Sequence, residues 1–414
     1  MKQVWVVLTV VALAGCSDDS ETVDNTTPED AGTCPGVSKG PWSLHVDETS
    51  ALVRWEACKA GTSPDLVFSP EAGGSEQTVT ASVKAWELPN TYQAAFVLDR
   101  DPDLAGTYHM HEAALTGLTT GTCYQFHLAQ DPERKGRVCT ARPSGAAFKL
   151  VAVGDTNPGL GSTQKLLANV APENYDLTLH QGDVQYYASG LETWQYWFQE
   201  MAPMLRQGQF LPSPGNHEYE KDDEFELYYQ RFFGNAGFSG QDGYSRTQSG
   251  GVYFFALNTE LPVEPGTPQA QWLESELAAA TTQPGFRFSI VYFHRPFLTC
   301  GDTSQKDTAF NHFRPLFEQH HVPLVLQGHM HGYERFEVPH EADATKTTTF
   351  LTVAGGGGAL GDIDQGIDRP TCSMRVQSGA FYHMAVVEIG ATTVGARIID
   401  VDGAERDSFE KPAH

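Results

Sequence analysis

Phe148-Lys149-Leu150-Val151-Ala152-Val153 runs straight into Gly154-Asp155-Thr156-Asn157. A short apolar run of strand length that stops at a glycine and a polar cluster is how a strand of an α/β sheet meets its functional edge. The pattern repeats downstream. Apolar runs at 177–179, 252–257, 288–293 and 323–326 are separated by helical stretches at 191–205, 270–280 and 310–320. Strands alternating with helices predict an α/β domain. Runs at 349–353, 385–389 and 394–401 return to β at its end.

Upstream, residues 36–143 read as all-β. Val53 and Trp55 alternate with Arg54 and Glu56, the period of a half-buried strand. Leu118 and Tyr124 flank a glycine-containing turn in the manner of the tyrosine corner of a fibronectin type III-like sandwich. Arg142-Pro143-Ser144-Gly145 marks the boundary, so the expectation is a sandwich over 36–143 followed by a second domain over 147–414.

The chain has 414 residues, enough for two or three domains, and its 40% hydrophobic share and 40 glycines suit a globular protein. The 27 basic and 52 acidic residues leave a net charge of −25. Such a surface repels nucleic acid, so no nucleic-acid partner is expected. It also repels small phosphate esters, and a site that handles them needs strong local positive charge, for which metal ions are the obvious source.

Residues 1–15 read as an export signal. Lys2 is followed by an apolar run over 4–14, too short to span a bilayer, ending in Leu13-Ala14-Gly15-Cys16. That ending resembles the bacterial lipobox and makes Cys16 a lipidation site, so the protein is expected to be an exported, membrane-anchored lipoprotein facing the periplasm or cell surface. Residues 16–35 are acidic, almost without large apolar side chains, and read as a flexible tether. The remaining cysteines are even in number, which suits disulfides in an exported protein. Cys123 and Cys139 are equidistant from the turn at Asp131-Pro132 and face each other across a hairpin; Cys300 then pairs with Cys372 and Cys34 with Cys58.

Five polar clusters occur in order, most of them at strand ends: Gly154-Asp155-Thr156-Asn157, Gly182-Asp183-Val184-Gln185-Tyr186, Gly215-Asn216-His217-Glu218, Val291-Tyr292-Phe293-His294 and Gly328-His329-Met330-His331. Each is weak alone, but strand ends converge on one crevice. Carboxylate, amide and imidazole donors without thiolate suit Fe, Zn or Mn.

Together the clusters resemble the calcineurin-like metallophosphoesterases, and within them the purple acid phosphatases, whose pattern is GDxG, GDxxY, GNH(D/E), VxxH and GHxH. The match continues through Gly332-Tyr333-Glu334-Arg335. The resemblance implies a fibronectin-like domain ahead of a two-sheet αββα domain. It implies a binuclear metal centre: Asp155, Tyr186 and His331 on Fe(III); Asn216, His294 and His329 on Fe(II), Zn(II) or Mn(II); and Asp183 bridging both. It implies hydrolysis of phosphate monoesters by a metal-bound hydroxide, in the manner of an acid phosphatase acting on small phosphorylated substrates. Asn216 and His217 then contact substrate, with His217 as the catalytic group beside the leaving oxygen. A phosphodiesterase or nucleotidase on the same scaffold is the alternative within enzymes, and a catalytically dead surface-binding lipoprotein is the alternative outside them.

The chain departs from the pattern at Asn157, where the purple acid phosphatases have glycine, and Tyr187 stands beside Tyr186 as a second phenol. Plant-type members carry further histidines after VxxH, whereas here Arg295 follows and serves as a candidate phosphate contact. His180 reads as a satisfied core residue. His109, His111 and His127 read as surface or strand residues of the sandwich, and His320 and His321 as the end of a helix.

Overall fold

The computed structural model describes residues 36–88, 106–186, 191–220, 225–234 and 242–413. Cys16, Cys34 and Tyr187 lie outside them, and with them the expected signal segment, the tether, the anchor and the pairing of Cys34 with Cys58.

Among the described residues, eight strands form the N-terminal part: β1 (Val37–Leu44), β2 (Ser50–Ala57), β3 (Asp65–Pro70), β4 (Gln77–Thr80), β5 (Ser82–Leu88), β6 (Gly106–Thr116), β7 (Cys123–Leu128) and β8 (Asp131–Cys139). They lie in two layers, β1-β2-β6-β5 and β4-β3-β7-β8, around a core that includes Val53, Trp55, Phe68, Leu115 and Phe126. At the expected corner the Thr119 N–H donates to Tyr124 Oη at 2.9 Å. Cys123 sits directly opposite Cys139 in the β7–β8 ladder, and the two form a disulfide.

Thirteen strands follow among the described residues: β9 (Phe148–Val153), β10 (Leu177–His180), β11 (Gln209–Pro212), β12 (Ser245–Ser249), β13 (Val252–Ala256), β14 (Phe288–Phe293), β15 (Leu324–Gln327), β16 (Tyr333–Pro339), β17 (Thr347–Val353), β18 (Arg375–Gly379), β19 (His383–Ile389), β20 (Thr393–Asp400) and β21 (Glu405–Pro412). One sheet runs β21-β20-β19-β9-β10-β11 and the other β12-β13-β14-β15-β17-β16-β18. The sheets share a core of Leu150, Ala152, Leu179, Ile290, Leu326 and Leu351 among others. Their outer faces are covered by helices Ser162–Val170 and Leu191–Glu200 on one side and Pro268–Thr281 and Asp307–Gln319 on the other. Burying each large apolar side chain in these layers contributes about 1.5–3 kcal/mol.

The boundary expected at 143 is not a break in the sheet. β1 pairs in parallel with β11, so β1, β2, β6 and β5 continue the first sheet, and the described residues form one compact unit. For the same reason β2 is not half-buried. Arg54 is bonded to Glu112 and to the carbonyls of Phe232 and Gly234, while Glu56 is buried against Lys39 and Arg231. The face that alternation assigns to solvent is covered by the next part of the chain. His111 is a strand residue of β6, as expected, but it is buried on the sandwich side of the sheet and stacks on Trp55 with ring centroids 5.2 Å apart.

Candidate metal centre

β9, β10, β11, β14 and β15 end side by side, and each delivers one polar cluster to a common crevice. Turning sharply off a strand takes unusual backbone. Asp155, Asp183 and His329 have φ of 61°, 46° and 68°, left-handed values that cost L-residues energy and persist only where the surroundings fix them. Gly215 has a different constraint, space: a Cβ there would stand 2.2 Å from Asp183 Oδ1.

Two overlapping groups of donors result, Asp183 with His294 and His329, and Asp155 with Asp183 and His331, each with ligand atoms within 4.8 Å of one another. Asp183 belongs to both. On one side His294 Nε2 lies 3.2 Å from Asp183 Oδ1, 3.1 Å from Asn216 Oδ1 and 3.1 Å from His329 Nδ1. On the other, Tyr186 Oη lies 2.6 Å from His331 Nε2 and 3.0 Å from Asp155 Oδ1, and His331 Nε2 lies 3.2 Å from Asp155 Oδ1. All the metal-ligand candidates of the sequence therefore meet. Buried carboxylates and imidazoles at these spacings, with a phenol on one side and an amide oxygen on the other, fit a pair of metal ions.

The rings are aimed from behind. The His294 Nδ1 contact to the Gln181 carbonyl, 2.8 Å, and the His331 Nδ1 contact to the Ala359 carbonyl, 2.6 Å, place protons on those nitrogens and make Nε2 the nitrogen that each ring turns to the crevice. Burial opposes charge on both rings, yet Asp183 holds the His294 pKa up at about 10 and Asp155 holds that of His331 up at about 9. Burial, with Asp155 and Asp183 nearby, pushes the Tyr186 phenol well above its ordinary value, so only a strong Lewis acid would draw off its proton.

His217 lies beside the donors. Its backbone N–H donates to Asp183 Oδ1 at 2.9 Å, its ring packs against Tyr186, and its Nδ1 is 2.5 Å from Glu220 Oε1. Burial works against its charge, but Glu220 and Asp183 raise its pKa overall. Glu220 was not singled out in the sequence; its place three residues after His217 is the only signal there. Glu218 accepts the N–H groups of Gly215 and Val184, at 2.7 and 2.9 Å, and so ties the Asn216 turn to the Asp183 turn.

Arg295 reaches the site but is not a free phosphate contact. Glu260 holds its guanidinium at 2.8–3.0 Å, and its Nη1 is 3.2 Å from His329 Nε2. No sequence pattern pointed to Glu260. His180 is buried and bonded through Nε2 to Thr156, but its Nδ1 has no partner, so it is only half satisfied. Asn157 is buried just beyond the Asp155 turn. Cys300 and Cys372 form a disulfide, and the adjoining Gly301 packs on Met330 of the His-Met-His segment.

Residues 148–333 match the family model described as calcineurin-like phosphoesterase. The chain is 23% identical over 316 residues to the Arabidopsis thaliana protein named probable purple acid phosphatase 20, covering 73% of this chain and 70% of that one. It is 24% identical over 296 residues to a Hordeum vulgare protein named nucleotide pyrophosphatase/phosphodiesterase, covering 62% of this chain and 78% of that one. Among solved structures, the yellow lupin (Lupinus luteus) purple acid phosphatase PPD1 superposes with a TM-score of 0.71 at 17% identity, over 90% of this chain and 74% of that one.

Proposed function

The chain is a purple acid phosphatase-like metallophosphoesterase, and from that premise we propose that it hydrolyses phosphate monoesters at a binuclear metal centre. The observation that carries the reading is the carboxylate of Asp183, shared by both donor groups. Asp155, Tyr186 and His331 would hold one ion, Fe(III) by the preference of a phenolate for a hard cation; Asn216, His294 and His329 would hold Fe(II), Zn(II) or Mn(II). When bound, such a pair supplies Lewis acidity toward phosphate oxygens and an acidified water as nucleophile.

The protein's own groups do the rest. Asn216 orients substrate from the turn that also carries His217. The His217 ring, held through Nδ1 by Glu220, presents Nε2 on the side of Asp183 and can give its proton to the departing oxygen. His217→Ala should lower turnover of an alkyl phosphate by about 100-fold or more, and much less for an aryl ester whose leaving group needs no proton. Equal losses on both would remove His217 from the role of acid.

The name of the barley relative favours a second reading, cleavage of phosphodiesters or pyrophosphates on the same residues. Turnover of p-nitrophenyl phosphate against bis(p-nitrophenyl) phosphate separates the two: preference for the monoester is expected, and preference for the diester would reverse the assignment.

The N-terminal strands we read as a fibronectin type III-like sandwich, supported by the layering of β1 to β8 and the Tyr124 corner. We read the protein as an exported lipoprotein anchored through Cys16 that acts on small phosphorylated substrates and not on nucleic acid, on the lipobox-like sequence and the charge of −25.

A further inference from the structure

His329 touches the centre with one ring nitrogen and the Arg295–Glu260 pair with the other. Its Nδ1 is 3.1 Å from His294 Nε2, on the side where Asn216 and Asp183 also present their oxygens. Its Nε2 is 3.2 Å from Arg295 Nη1. A neutral imidazole that turns a lone pair on Nδ1 toward an ion carries its hydrogen on Nε2. That hydrogen would then face a guanidinium, which has donors only. Two donors cannot bond to each other, so the contact between Arg295 Nη1 and His329 Nε2 belongs to the ion-free ring. The acceptor beyond Arg295 is Glu260, whose carboxylate is engaged by the arginine: Oε1 and Oε2 are 2.8 and 3.0 Å from Nε, and Oε2 is 2.9 Å from Nη2. Glu260 is nearly buried and Arg295 is a third exposed, so the arginine is the partner with room to leave.

We infer that filling the ion site at Asn216, His294 and His329 transfers the outer hydrogen bond of His329 from Arg295 to Glu260 and releases the Arg295 guanidinium to bind phosphate. Glu260 is then a positioning residue for a metal ligand, and Arg295 a phosphate contact that exists only in the loaded protein. The inference rests on the metal-centre reading above.

The test is Zn2+ binding to the metal-free protein by calorimetry, followed by inorganic phosphate binding to the Zn2+-loaded protein. Glu260→Ala should weaken the second Zn2+ about tenfold or more, the usual effect of losing a partner behind a ligating histidine. Glu260→Gln, whose carbonyl still accepts, should stay within a few-fold of wild type. Arg295→Ala should leave Zn2+ affinity equal or higher and weaken phosphate several-fold. If Arg295→Ala weakens Zn2+ as Glu260→Ala does, the pair is only a structural brace. If Glu260→Gln matches Glu260→Ala, charge and not the hydrogen bond is responsible. Unchanged Zn2+ affinity in Glu260→Ala, or unchanged phosphate affinity in Arg295→Ala, overturns the inference equally. His329→Ala is the control: if it still takes up two Zn2+ ions, the metal-centre reading itself fails.

Discussion

The Asp183 carboxylate stands 3.2 Å from His294 Nε2 and is shared by both donor groups, so its removal should empty both ion sites and not one. Tyr186→Phe should keep the ions but lose any visible charge-transfer band, because the phenol oxygen is the only part removed; an unchanged spectrum would move the phenolate to another residue. Proton competition gives a third expectation at this scale. Below about 9 and about 10, His331 and His294 respectively hold protons that an ion must displace. Divalent-ion affinity should therefore fall as pH drops, with protons released on binding. Calorimetry in buffers of different ionisation enthalpy at pH 6 and 8 reads that release directly, and none at pH 6 would contradict it. The ligand residues were legible because each follows a strand-ending glycine or an apolar strand. Glu220 and Glu260 were not, since a lone acidic residue in a loop has no periodicity to mark it and is placed only by the fold.

Among the elements, the turns matter more than the strands they end. Gly215→Ala would set a methyl against Asp183 Oδ1, so we expect about 1–3 kcal/mol of destabilisation together with weakened metal uptake. Denaturant unfolding and metal analysis check both, and a variant that matches wild type in each would show that the Asn216 turn has slack. Strands β9, β14 and β15 fall where the apolar runs place them, because short buried runs bounded by glycine or polar clusters leave little choice of state. The helical stretch at 191–205 is instead two helices, Leu191–Glu200 and Ala202–Leu205, and Pro203 near the start of the second explains the interruption. Alternation failed at β2 because it registers polarity and not what later covers the strand.

At the scale of the molecule, the N-terminal strands and the phosphoesterase sheets are built as one piece. β1 lies along β11, and Glu56 on β2 is buried between Lys39 and Arg231, with contacts of 2.8 and 2.5 Å. Glu56→Ala would leave two buried cations without their carboxylate, a loss of about 3–5 kcal/mol, and a single lowered unfolding transition should report it. Two separate transitions would mean that the two parts fold independently after all. Such long-range joins are invisible to local patterns, which is why the sequence divides at 143 and the sheet does not.

Every step of the proposed chemistry depends on two ions sharing Asp183. Elemental analysis of the purified wild-type protein and of Asp183→Ala tests this most directly. Two metal ions per chain are expected in the wild type and none retained in the variant. One ion or none in the wild type, or two in Asp183→Ala, would contradict that sharing.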